Sequence, residues 1–398
     1  MTAPKESCGQ DCRLQDCQTL PDCSIYKTPN ELSILRRAQT PLTCIPFDEI
    51  TMVDFSNYDP EGVGNPNNNI FGLPITEEEA RLVILPVPWE VSVSYGVGTA
   101  RAAEAVLKAS LQVDLYDPDM PDAWKQGYFL RTSDRKILMK SDYLRKEAEL
   151  YIDYISRGED VSANQFMMKT LKEVNEGAAF LNNWVHEQTS VLLDSGKLVG
   201  LLGGDHSSPF GFYKAIANRQ GDFGILQIDA HCDMRDAYEG FNYSHASIMF
   251  NVLEEIPEVK RIVQIGVRDY SSGELEFIKS TNSRVIPYFD KDIKERIYEG
   301  ETWKKIAEEI VSKLPDKVFI SFDIDGLDPK LCPHTGTPVQ GGFEVEQLFY
   351  LFKILLKSGR SIVGFDLNEI GVGESDWDAN VGARVLFKLC NLLVTSNS

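Results

Sequence analysis

The run Gly224-Ile225-Leu226-Gln227-Ile228, passing straight into Asp229-Ala230-His231-Cys232-Asp233, predicts a short strand that ends in chemistry. It is too short for a helix and too apolar for a half-exposed strand, so it belongs inside a sheet covered on both faces. Leu82-Val83-Ile84-Leu85, Leu198-Val199-Gly200-Leu201-Leu202, Ile262-Val263-Gln264-Ile265, Val318-Phe319-Ile320-Ser321-Phe322 and Ile362-Val363-Gly364-Phe365 have the same character. Between them, residues 167–195, 303–314, 344–358 and 379–393 repeat apolar side chains every three to four positions, the period of a helix buried along one face. Strand and helix in alternation predict an α/β domain with a parallel sheet between helical layers. Residues 118–160 read as a helical insertion. Ligands in such open sheets gather at the carboxyl ends of the strands.

Three strands end in histidine or acid. Leu198 to Leu202 leads into Gly203-Gly204-Asp205-His206, where paired glycines permit a tight turn. After Ile228, an extended chain puts Asp229, His231 and Asp233 on one side, because side chains alternate. By the same parity Asp323 and Asp325 share a face in Phe322-Asp323-Ile324-Asp325-Gly326. Gathered at neighbouring strand tips, these groups offer two imidazoles and four carboxylates. Four clustered negative charges need cations to compensate them, and two divalent ions supply the matching charge. Of the other histidines, His186 lies in a helical pattern and reads as a packing or surface residue; His334 lies in the loop after the last acidic motif.

The chain has 398 residues and 43% hydrophobic content, enough for a large core. Its 40 Lys and Arg against 60 Asp and Glu give a net charge of -20, which repels nucleic acid and anionic membranes. No apolar run reaches the ~18–20 residues of a membrane span, and Met1 to Ser7 lacks the apolar core of a signal peptide, so a cytoplasmic location is expected. Residues 1–78, punctuated by Thr28-Pro29-Asn30, Asp59-Pro60-Glu61-Gly62 and Gly64-Asn65-Pro66, read as an N-terminal extension, and 79–398 as the catalytic domain. Cys8, Cys12, Cys17 and Cys23 lack the C-x2-C step of a zinc ribbon, and no function is assigned to them.

The motifs GGDHS (203–207), DAHCD (229–233), SFDIDGLDP (321–329), TGTP (335–338) and GG (341–342) resemble the ureohydrolase family of arginases and agmatinases over roughly residues 60–395. The resemblance implies a three-layer α/β/α fold with a parallel sheet of about eight strands. It implies one metal on His206, Asp229, Asp233 and Asp323, and a second on His231, Asp229, Asp323 and Asp325. A resonance-stabilised guanidinium carbon resists water, whereas two ions about 3.5 Å apart can draw a hydroxide from it at neutral pH. Asp233 then aims the nucleophile, His245 in Tyr243-Ser244-His245-Ala246-Ser247 carries the proton, and Glu369 in Asp366-Leu367-Asn368-Glu369 grips the guanidinium. The expected partners are a small guanidino substrate, further copies in a trimer or hexamer, and metal-loading accessory proteins. Deacetylases resemble the same fold with a single zinc; Asp233 together with His206 tells the two apart.

The sequence also departs from arginases. Ser271 stands where they carry a second aspartate after Gly-x-Arg-Asp, and Arg268 next to Asp269 reads as a structural ion pair. The loop from Arg235 to Tyr243 replaces their Asn- and Thr-rich loop, so arginine is not the expected substrate. Arg235, unless paired with Asp236 or Glu239, repels the far ammonium of agmatine, and Tyr238, Phe241 and Tyr243, joined by Trp89 and Tyr95, read as a cap over a short pocket. VGNPNNNIFGLP (63–74), VPWEVSVSYGVGTA (87–100) and DAYEGFNYSHAS (236–247) resemble the nickel-dependent guanidine hydrolases of the family. That resemblance implies conversion of guanidine to urea and ammonia with Ni(II), the alternatives being agmatine or a guanidino acid as substrate and Mn(II) as metal.

Overall fold

Eight strands build one sheet in the computed structural model, which describes residues 53–398. They are β1 (Leu82–Pro86), β2 (Tyr128–Leu130), β3 (Leu198–Leu202), β4 (Phe223–Ile228), β5 (Val259–Ile265), β6 (Val285–Tyr288), β7 (Lys317–Asp323) and β8 (Ser361–Asn368). Their order is β2-β1-β3-β8-β7-β4-β5-β6 and every neighbouring pair is parallel.

The apolar strands sort their side chains by parity into two cores. Ile84, Leu226, Ile228, Ile320 and Phe322 face one helical layer: α1 (Ala102–Ser110), α8 (Trp303–Ser312), α9 (Val345–Lys357) and α10 (Trp377–Thr395). Val83, Leu85, Phe223, Ile225 and Phe319 face the other: α2 (Arg135–Ser156), α3 (Gln165–Asp194), α4 (Phe210–Gln220), α5 (Ile248–Glu255) and α6 (Ser272–Ser280). Helix α7 (Asp290–Tyr298) follows β6 and buries Ile293 in the first core. Each fully buried Leu, Ile or Phe contributes roughly 1.5–3 kcal/mol, so both faces hold the sheet.

Six strands agree with the sequence expectation; β2 and β6 add to it. β2 is three residues long and lies within the stretch read as helical insertion. β6 carries Pro287 and is an edge strand, where a missing N–H breaks no ladder. Of the expected extension, residues 1–52, including Cys8, Cys12, Cys17 and Cys23, lie outside the described residues. Ile70, Phe71, Leu73 and Ile75 are buried in the first core. No described helix is long and apolar enough to cross a membrane.

Candidate metal centre

The carboxyl ends of β3, β8, β7 and β4, four adjacent strands, converge on one point. After β3 the chain passes so close to its neighbours that a Cβ on Gly204 would lie 1.8 Å from the Trp89 carbonyl oxygen. Close approach, and not a left-handed turn, is therefore what demands glycine there. The next residue but one, His206, is buried with Nδ1 3.0 Å from Asp229 Oδ2, 3.0 Å from Asp233 Oδ2 and 3.3 Å from Asp323 Oδ2. His231 Nδ1 stands 3.1 Å from Asp325 Oδ2 and 3.5 Å from Asp229 Oδ1, so Asp229 serves both imidazoles.

Main-chain N–H groups anchor these carboxylates. Asp323 accepts from Asp325 N, Asp325 from Ala230 N and Asp229 from His231 N, at 2.9, 2.9 and 2.7 Å. For Asp323 and Asp325 the second oxygen is left to face a histidine. Parity delivers Asp323, the last residue of β7, but not Asp325: residues 324–326 form a 3₁₀ turn that brings Asp325 round to the site. Asp233 likewise leaves the extended conformation, with φ +55°, and folds back toward His206.

Whether these residues suit cations is decided by hydrogens. Ser321 Oγ donates to Asp366 at 3.0 Å and so accepts from His206 Nε2 at 2.9 Å, which leaves the Nδ1 lone pair aimed at three carboxylates. His206 Nδ1 and Asp233 Oδ2 are buried without a hydrogen-bond partner. Burial opposes a charge on His206, yet the facing carboxylates of Asp229, Asp233 and Asp323 outweigh it and hold its pKa well above the usual value. Burial and the charge of Asp229 push Asp233 up to about 7, and burial with Asp325 and Asp229 raises Asp323 far above the carboxylate range. Positive charge is demanded at this point, and a divalent ion supplies more than a proton can. Two sets could each hold one ion: His206, Asp229 and Asp323, and Asp229, His231 and Asp325.

Glu369 follows β8 with φ +61°. Its Oε1 accepts from His206 N at 2.9 Å, while Oε2 is buried and unpartnered. Burial and the charge of Asp205 raise its pKa well above the ordinary glutamate value. His245 lines a cavity of about 540 Å³ together with His231, Asp233, Tyr95, Tyr238 and Arg235. Burial, with His231 and His206 near, lowers its pKa to about 3, which keeps the ring neutral until a proton reaches it.

The expected cap is only partly present. Tyr238 and Tyr95 line the cavity, but Phe241 is buried against Tyr151, and Tyr243 packs on Phe210 and donates to Glu255 at 2.7 Å. Trp89 is a core residue. Arg235 pairs with neither Asp236 nor Glu239: it lies 3.7 Å from Glu274 and stacks over Tyr238 at 4.8 Å. Ser271 caps α6, exchanging hydrogen bonds with Glu274. Nor does Arg268 pair with Asp269. It donates to the carbonyls of Gly266, Asp325, Leu327 and Val339, which ties down the turn carrying Asp325, and Asp269 is left in the cavity wall. His334 Nδ1 lies 2.8 Å from Asp378, outside the cavity lining, and His186 meets Asn218 at 3.0 Å. The sequence pattern gave no sign of Ser92, whose hydroxyl meets both His245 and Asp205.

Known proteins resemble this chain in sequence and in fold. Over 295 residues the chain is 29% identical to the N(1)-aminopropylagmatine ureohydrolase of Thermus thermophilus, covering 74% of this chain and 83% of that one. It is 27% identical to the agmatinase of Bacillus anthracis, again over 295 residues, covering 74% and 84%. The crystal structure of agmatine ureohydrolase of Thermoplasma volcanium has the same fold, with a TM-score of 0.59 at 22% identity over 80% of this chain and 91% of that one. The family model described as the arginase family matches residues 80–390, from just before the first strand into the last helix. With eight parallel strands, and histidines and aspartates gathered at their ends, the chain belongs to the arginase family of ureohydrolases.

Proposed function

We propose that the chain hydrolyses a guanidino C–N bond of an amine-bearing alkylguanidine of the agmatine class, releasing urea. The observation that carries this reading is the joint presence of the orphaned His206 Nδ1 and Asp233 Oδ2 beside the unpartnered Glu369 Oε2: a place for cations next to a place for a guanidinium. His206, Asp229, His231, Asp233, Asp323 and Asp325 would hold two divalent ions, and bound there the pair would bring the pKa of water near neutrality. Asp233 Oδ2 accepts a hydrogen bond from the attacking water and aims it. Glu369 Oε2 pairs with the guanidinium and holds its carbon in line. As the C–N bond breaks, His245 hands a proton to the departing nitrogen. The carboxylate-rich set suits Mn(II), and two imidazoles also accommodate Ni(II), which the resemblance to guanidine hydrolases favours.

The relatives that span most of the chain bear names of aminoalkylguanidine hydrolases, and a cavity of about 540 Å³ with Asp269 in its wall has room for a tail and an acceptor for its ammonium. Arg235 favours a second reading. Its guanidinium, stacked on Tyr238 in the same wall, repels a distal ammonium and suits free guanidine. Urea release from guanidine, methylguanidine, agmatine and 4-guanidinobutyrate, each with nickel and with manganese, tests both. Agmatine is expected to give the highest kcat/KM; guanidine ahead of it, with nickel the active metal, would establish the second reading, and no urea from any of them would refute both.

A further inference from the structure

We infer that Ser92 and Asp205 lock His245 in a single tautomer, protonated at Nδ1, so that the ring gains and loses its mobile proton only at Nε2. The inference rests on the proton-transfer role proposed for His245 and deepens it. Ser92 and Asp205 are both buried and belong to different loops, one after β1 and one after β3. The two loops are tied together by the main chain, Asp205 N donating to Trp89 O at 2.7 Å.

The direction of each hydrogen follows from what each atom can offer. Asp205 Oδ1 accepts from Ser207 N at 3.0 Å and from the Ser207 hydroxyl. Its Oδ2 accepts from Ser92 N at 3.3 Å and from the Ser92 hydroxyl at 3.2 Å. Two donors face each oxygen of the Asp205 carboxylate, so both oxygens act as acceptors and the single hydroxyl hydrogen of Ser92 points to Asp205. Only lone pairs of Ser92 Oγ then remain. One accepts from His245 N at 2.9 Å, and the other faces His245 Nδ1 at 3.3 Å. A bare Nδ1 would meet a lone pair there, whereas Nδ1–H makes a bond, in the neutral ring and in the charged one alike. Among the described residues His245 Nε2 has no hydrogen-bond partner. The ring of Tyr238 stands edge-on to the imidazole, 6.1 Å away at 89°, and limits its rotation.

The proton balance is simple. Nε2 takes up the proton that leaves the attacking water, and the ring becomes cationic with Nδ1–H still on Ser92. The Nε2–H bond then breaks as the N–H bond on the departing amine forms, and the ring returns to its starting tautomer. Ser92 touches neither metal ligands nor substrate in this scheme; it is a positioning residue.

Solid-state ¹⁵N NMR of the full chain, histidine-labelled and loaded with diamagnetic zinc, reads the tautomer directly, the His245 signals being those lost in His245→Asn. The neutral ring is expected to carry its hydrogen on Nδ1; an Nε2–H ring in the unaltered protein would overturn the inference. This result needs no turnover, so it stands apart from any failure of the substrate assignment. In kinetics, Ser92→Ala is expected to lower kcat at least about tenfold with KM within about twofold and metal content unchanged, and Ser92→Thr, which keeps the hydroxyl, to restore most of the rate. Unchanged kcat in fully metal-loaded Ser92→Ala, or a Ser92→Thr variant as slow as Ser92→Ala, would also overturn it.

Discussion

Replacing Glu369 by Gln removes one negative charge and almost no volume. Its Oε1 keeps the His206 N–H, 2.9 Å away, while an NH₂ group takes the place of the unpartnered Oε2. A guanidinium bound there loses a charge-assisted hydrogen bond and meets a donor where it met an acceptor. Hydrogen bonds to charged groups are worth about 1.5–3 kcal/mol, so kcat/KM should fall roughly 10- to 150-fold. Stability should move the other way. Burial raises the pKa of Glu369, so the folded state favours the protonated acid, and the stability this confers at low pH is lost as pH rises. A neutral amide carries no such penalty, and the variant should melt no lower than the parent near pH 7. Steady-state urea release at saturating metal, together with a thermal melt, measures both. A kcat/KM within about threefold of the parent would refute the guanidinium-binding role; a melt many degrees lower would show that Glu369 mainly supports the fold.

Asp229→Ala should lose both ions, because its carboxylate belongs to both sets, whereas His206→Ala should mainly weaken one; two full equivalents of metal in Asp229→Ala by elemental analysis would exclude a shared ligand. His245→Ala should lower kcat by about 10²–10⁴ at unchanged metal content, and parental kinetics would remove it from the mechanism. Gly204→Ala drives a methyl into the Trp89 carbonyl and should cost about 1–3 kcal/mol or more, read as a lower Tm; an unchanged melt would show that the loop after β1 yields freely.

The strands were legible because unbroken apolar runs have one physical outcome in a sheet covered on both faces. β2 is too short to carry a pattern, and Pro287 disguises β6. The six candidate ligands were legible because each follows such a run, yet the route to two of them was not. Asp325 arrives by a 3₁₀ turn, and Asp233 by a left-handed backbone that sequence rarely announces in a residue other than glycine. The cap expectation failed for the same reason. Residue type says that Phe241 and Tyr243 are bulky, but the positive φ of Ala237 and Glu239, at 43° and 57°, turns the loop so that Tyr238 alone of its three expected aromatics faces the cavity. Ser92 escaped notice because a lone serine has no signature, and its partners lie 113 and 153 positions away.

The last of the eight described strands in chain order occupies the middle of the sheet. β8 inserts between β3 and β7, pairing Leu202 with Leu367 on one side and Phe322 with Leu367 on the other. Until residues 361–368 leave the ribosome, β1 and β3 cannot be joined to β7 and β4, and the His206 side of the site is severed from the aspartates it must face. A growing chain therefore holds two half-sheets with raw edges, each a template for mispairing and a burden on chaperones. Asp229, His231 and Asp325 belong to the same half-sheet, so it is the set completed by His206 that has to wait for β8.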